Sequence, residues 1–193
     1  MRVEEIKQLL LNEITDSKES VLCKKRVAYE KNEDIYVESL IEVLENLFKR
    51  WELERQGKEL KYIDIWSLKL SVLTETYEYT IRCYDESYYY DDMYIEETWK
   101  SSLNEKFIGE EKQRFEKEIM SKLIRAKKYD VKDFLNEYIY NTNIKPIPLE
   151  LHGLEKRIDQ LEKYANEIGT SSIHLEYGEM MEPALYILEI KPC

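Results

Sequence analysis

The chain has 193 residues, 43% hydrophobic and 36% charged, with 40 acidic against 29 basic side chains and a net charge of −11. That length supports one domain with a sizeable core, and the composition excludes a disordered tail. Its short apolar runs exclude a membrane-spanning helix, and its acidic balance argues against direct nucleic-acid binding, which wants a basic face.

The first predicted element covers Val3 to Ile14, with Val3, Ile6, Leu10 and Ile14 at helical spacing. Glutamates stand among its apolar residues, so it reads as an amphipathic helix and not as a signal peptide. Between Asp16 and Lys31, Val21, Leu22, Val27 and Ala28 fit a helix or a strand, and helix is the reading adopted. Asn32 is a suitable N-cap, followed by Glu33 and Asp34 where the helix dipole favours negative charge. Val37, Leu40, Ile41, Leu44, Leu47, Phe48 and Trp51 form an apolar stripe, and Gly57 is a natural stop.

The period then changes. Trp66, Leu68, Leu70 and Val72 alternate against Ile65, Ser67, Lys69 and Ser71, predicting a strand with one buried face. Tyr77, Tyr79, Ile81 and Cys83 alternate against Glu78, Thr80, Arg82 and Tyr84, and "TET" connects the two runs as a hairpin. "DESYYYDD" reads as a turn or loop, and "MYIEETW" as a third strand. Helices resume after Gly109, with Phe115, Ile119, Met120, Leu123 and Ile124 on one face. A short helix over "DVKDFLNEYIY" takes Asp130 as its cap. Pro146 and Pro148 forbid a continuous helix and mark the one short linker. Leu154, Ile158, Leu161, Ala165 and Ile168 then share a helical face, and Ile173 to Ile190 make a closing hairpin. The expected fold is a single α+β domain over residues 1–193, its antiparallel sheet built from a central and a C-terminal hairpin and packed by about five to six helices.

Chemistry-bearing patterns are sparse. Cys23, Cys83 and Cys193 are odd in number and in no paired spacing, which fits reduced thiols in a cytoplasmic protein. Five dispersed glycines offer no phosphate-cradling loop, and His152 and His174 complete no metal or hydrolase motif. No catalytic residue, metal site or cofactor is therefore assigned. The sharpest enzymatic alternative is a magnesium nuclease, with Glu176 on one strand and Glu189-x-Lys191 on its hairpin partner.

Residues Tyr77 to Glu97 hold seven tyrosines and seven acids against one arginine. Tyrosine gives large contact area with only two torsions to freeze, and neighbouring carboxylates speed association with cations. Tyr84, Asp85, Glu86, Tyr88, Tyr89, Tyr90, Asp91 and Asp92 are accordingly read as an exposed surface for a basic protein partner. The competing reading packs alternate tyrosines under a sheet and leaves the acids as solvation.

The segment "SVLTETYEYTIRCYDESYYYDD", Ser71 to Asp92, resembles part of a family of small uncharacterised bacterial proteins, a likeness that implies no catalytic motif. In size and acidity the chain is also similar to toxin-immunity proteins and phage nuclease inhibitors, a likeness that transfers no residue. The expected function is non-enzymatic neutralisation of a basic toxin or nucleic-acid enzyme, with neither membrane nor nucleic acid as direct partner. An oligomeric scaffold, with the tyrosine-rich surface buried in a homodimer, is the remaining alternative.

Overall fold

The computed structural model describes residues 19–115, 117, 128–179 and 182–192. The expected helix over Val3 to Ile14 and the stripe beyond Phe115 lie outside the described residues. Residues 19–31 are helical (α1), in keeping with the reading adopted for them. Helix α2, Glu33–Glu54, buries Val37, Leu40, Ile41, Leu44, Leu47, Phe48 and Trp51, the face its apolar spacing dictates. Asn32 precedes it without a side-chain cap: its amide turns back to donate to the Ala28 carbonyl at 3.2 Å. Gly57 follows in the left-handed region, at φ 78°.

The fold is α+β around one five-stranded sheet in the order β3-β2-β1-β4-β5. The strands are β1 Tyr62–Ser67, β2 Glu78–Tyr84, β3 Ile95–Lys100, β4 Ile173–Glu179 and β5 Leu185–Ile190. Three pairings are antiparallel, but β1 and β4 run parallel, so the sheet is mixed and not purely antiparallel as expected. The C-terminal hairpin thus enters beside β1 and makes it the central strand.

The period-two reading of residues 65–72 is corrected on the same ground. β1 ends at Ser67 and is shielded on both faces, while Lys69–Leu73 form a short helix, α3, with Leu70 and Leu73 outward. Helices cover one face of β1 and the tyrosines of residues 85–94 the other, so its pattern is a near-continuous shielded run.

Helix α4, Ser102–Arg114, passes through Gly109 instead of starting after it, and is capped by Ser101, whose side chain accepts from the Asn104 amide. Helix α5 spans Lys128–Ile139, so Asp130 lies inside it and is not its cap. A π-helical turn, Tyr140–Ile144, and helix α6, Leu149–Gly153, fill the expected linker, with Asn143, Ile144, Glu150 and Leu151 buried. This is packed structure and not a spacer. A 3-10 turn, Leu154–Arg157, leads into α7, Ile158–Glu167.

Side-chain alternation assigns the two sheet faces. Ile63, Ile65, Tyr79, Ile81, Cys83, Ile95, Trp99, Ile173, Leu175 and Tyr177 join the hydrophobic core with the helices. The register sets Tyr62, Asp64 and Trp66 on the second face, beside Tyr84, Arg82 and Thr80 of β2 and His174, Glu176 and Gly178 of β4. Residues 85–94 fold back over that second face.

Candidate partner-binding face

The chain leaves β2 at Tyr84, turns through a 3-10 helix at Tyr88–Tyr90 and re-enters the sheet at Ile95. A charge cluster fixes this path. Arg55, just past α2, donates from Nη1 to both Asp91 carboxylate oxygens at 2.9 Å and from Nη2 to Asp85 Oδ2 at 3.1 Å. It also donates to the Met93 carbonyl and lies 4.8 Å from the Trp51 ring centroid. The two carboxylates in turn hold the loop backbone. Asp91 accepts from the Asp85 and Met93 amides at 3.1 and 3.0 Å, and Asp85 from the Ser87 amide at 2.8 Å. Burial opposes ionisation of Asp85, yet the Ser87 bonds and the Lys58 ammonium hold its carboxyl below the ordinary value.

Rings continue the loop's anchorage across the second face. Tyr88 packs on Tyr62 and Tyr89 at centroid distances of 4.4 and 3.9 Å, with Tyr84 5.4 Å from Tyr88. Tyr89 reaches Trp66 at 6.1 Å, and Tyr62 lies 5.6 Å from His174. Arg82 lies over Trp66 and Tyr94, at 5.1 and 4.5 Å, and bonds Glu96 at 2.6 Å.

These contacts divide the eight residues chosen from sequence. Tyr84, Asp85 and Asp91 are buried, and they build the loop instead of presenting it. Tyr88 is half-buried. Glu86 and Asp92 are exposed, as are Tyr89 at 54% and Tyr90 at 89%. Met93, 69% exposed, and Tyr94 extend the same surface and were absent from the sequence assignment. The expectation of an exposed surface over these eight residues is therefore corrected at Tyr84, Asp85 and Asp91, which form a buried latch carrying an exposed tip.

Beneath Tyr88 lies a feature that sequence reasoning missed. Asp64 and Glu176 are directly paired positions on β1 and β4. Tyr88 Oη lies 3.2 Å from Asp64 Oδ1 and 2.9 Å from Glu176 Oε2. Asp64 is fully buried, and its Oδ2 has no hydrogen-bond partner. Burial pushes its carboxyl up to about 7, and the Glu176 charge adds to the rise against the bonds from Tyr88 and Trp66 and the Arg82 charge. The signal was a lone acid inside the apolar run "YIDIW".

The alternative nuclease residues are less suggestively placed. Glu189 stands opposite His174, and Lys191 is 2.9 Å from Glu189 as its ion-pair partner. Among the described residues, no group of three or more His, Cys, Asp or Glu side chains could hold a metal ion. Among them, too, no helix is long and apolar enough to cross a membrane.

Comparison of the chain with protein families, with curated proteins and with solved structures found no match. Residue roles consequently rest on the geometry of this face.

Proposed function

We propose that this protein is a non-enzymatic acidic binding protein that neutralises a basic protein, of the toxin-immunity or nuclease-inhibitor type, through the tip of the 85–94 loop. The observation that carries the reading is the combination of a fixed loop and exposed rings. Tyr90 is 89% and Tyr89 54% exposed on a backbone held by the shielded Arg55, Asp85 and Asp91 side chains. A loop already ordered loses little conformational entropy on binding, so rings on it are efficient anchors. Glu86 and Asp92 flank them and supply the field that draws in a cationic surface. The partner's phosphate-binding groove is the natural target, occupied by these carboxylates in place of a nucleic-acid backbone.

The test is capture from an extract of the source organism by immobilised wild-type protein and by a Tyr89→Ser/Tyr90→Ser/Met93→Ser variant. A basic protein retained by the wild type, eluted by salt and lost from the variant supports the proposal. Retention of the same proteins by both forms, or of none by either, overturns it.

One observation favours association with a second copy as an alternative. Leu185 and Tyr186, 57% and 59% exposed, lie on the edge strand β5. Light scattering over a range of concentrations tests this reading, which a mass fixed at 23.4 kDa would remove.

A further inference from the structure

The paired acids under Tyr88 pose a proton-counting problem. The Tyr88 phenol has one hydrogen, yet its oxygen meets Asp64 Oδ1 at 3.2 Å, Glu176 Oε2 at 2.9 Å and Tyr89 Oη at 3.0 Å. Tyr89 can turn its own hydroxyl to donate, but one phenol proton serves only one of two ionised carboxylates. The other carries a proton itself or depends on a weaker donor, which for Asp64 is the Trp66 side chain. Neither Asp64 nor Glu176 has an ion-pair partner among the described residues, whereas Asp85, Asp91, Glu96 and Glu189 all do.

Charged and titratable groups surround Asp64 from every neighbouring element, the Tyr84 phenol and Cys83 thiol of β2 among them. Arg82, opposite it on β2, is engaged by Glu96 and stacked on Trp66 and Tyr94. From β4 comes Glu176, and from the loop the Tyr88 and Tyr89 phenols. Asp64 Oδ2 is buried with no hydrogen bond of good geometry, the Trp66 side chain giving the carboxyl only a minor stabilising contact. Two acids sharing one phenol proton are under-satisfied in a low-dielectric setting, and a cation at the position of the Tyr88 hydroxyl would meet Asp64 Oδ1 and Glu176 Oε2 together.

We propose that Asp64 and Glu176 form the receiving site for one arginine side chain of the basic partner, with the Tyr88 phenol occupying that site in the free protein and moving aside on binding. The proposal rests on the basic-partner reading and deepens it. A guanidinium brings several donors in a planar fork, enough for both carboxylates where the phenol has one proton. The faces of Tyr62 and Tyr89 beside Tyr88 suit stacking on that plane. Binding requires both acids ionised, so the proton held in the free site is released.

The experiment titrates the whole protein with acetyl-arginine-amide, using acetyl-citrulline-amide as the uncharged isostere, and follows the ring resonances of Tyr62 and Tyr88 by NMR. The expected result is a saturable shift with the arginine probe alone, weakened at least about tenfold in Asp64→Asn and, as a second variant, in Glu176→Gln. Affinity should also fall by about tenfold per pH unit below about 7, since a proton must leave before the cation enters. Equal response to both probes, no saturable shift, or binding unaffected by either substitution would overturn the site. Capture of a basic protein through Tyr89 and Tyr90 would stand in that event, so the two failures are distinguishable.

Discussion

Arg55 and Asp91, thirty-six residues apart in sequence, form a two-bond ion pair at 2.9 Å with side chains only 6% and 4% exposed. It ties the end of α2 to the tip-bearing loop, so the loop's geometry is inherited from the helix with the most extensive buried face among the described residues.

Replacing Arg55 by Met should therefore free the loop as well as weaken the fold. Leaving a carboxylate buried without its partner costs about 3–5 kcal/mol, whereas an exposed ion pair is worth under about 1 kcal/mol. Urea unfolding should show a large loss for Arg55→Met and little for Lys58→Met, whose ammonium is largely exposed. Hydrogen exchange should show lost protection at the Ser87 and Met93 amides in the first variant. Unchanged protection there would mean that Arg55 does not hold the loop.

Asp64 gives a pH dependence of definite sign. Burial raises its folded pKa from 3.8 to about 7, so across that interval the folded state binds more of this proton than the unfolded state. Its contribution to stability is then present at the acidic end and declines as pH rises towards about 7. Unfolding free energies measured at several pH values should show that component vanish in Asp64→Asn, giving the variant a flatter profile between about pH 4 and 7. Parallel profiles for the two proteins would contradict the assignment.

Gly153 tests the packing of α6 on α2. A Cβ there would stand 2.3 Å from Val37 Cγ2 and 2.5 Å from the Tyr29 hydroxyl. Gly153→Ala should lower stability by about 1–3 kcal/mol through overpacking, despite alanine's better helix propensity. Gly109→Ala, on α4 with open space around the added carbon, should stabilise or leave the protein unchanged. Thermal unfolding of the two variants separates these outcomes.

Legibility in the sequence followed locality. The stripe Val37 to Trp51 was read correctly because an amphipathic helix declares its buried face within a few turns. The Ile173 to Ile190 hairpin was equally plain, its partners being neighbours in the chain. The parallel pairing of β1 with β4 joins Tyr62 to His174 across the length of the domain, and no local period encodes it. That pairing makes β1 central and sets Asp64 beside Glu176, so the carboxylate pair could not be foreseen either. The exposure of Tyr89 and Tyr90 agrees with the reading of this segment as a surface, because a polar, acid-rich loop keeps some of its rings in water. Asp85 and Asp91 were misplaced because their counter-ion, Arg55, belongs to a helix end that reads as solvated surface.

The most direct test of the central claim is the association rate of the captured basic partner, measured at about 50 and about 500 mM salt, where screening shortens the reach of surface charge severalfold. The wild type should associate at least about tenfold more slowly at the higher salt, with Glu86→Gln/Asp92→Asn slower at low salt and less salt-sensitive. Tyr90→Ala should keep the rate of capture and release the partner faster. A rate indifferent to salt, or identical in the charge variant, would contradict steering by this loop.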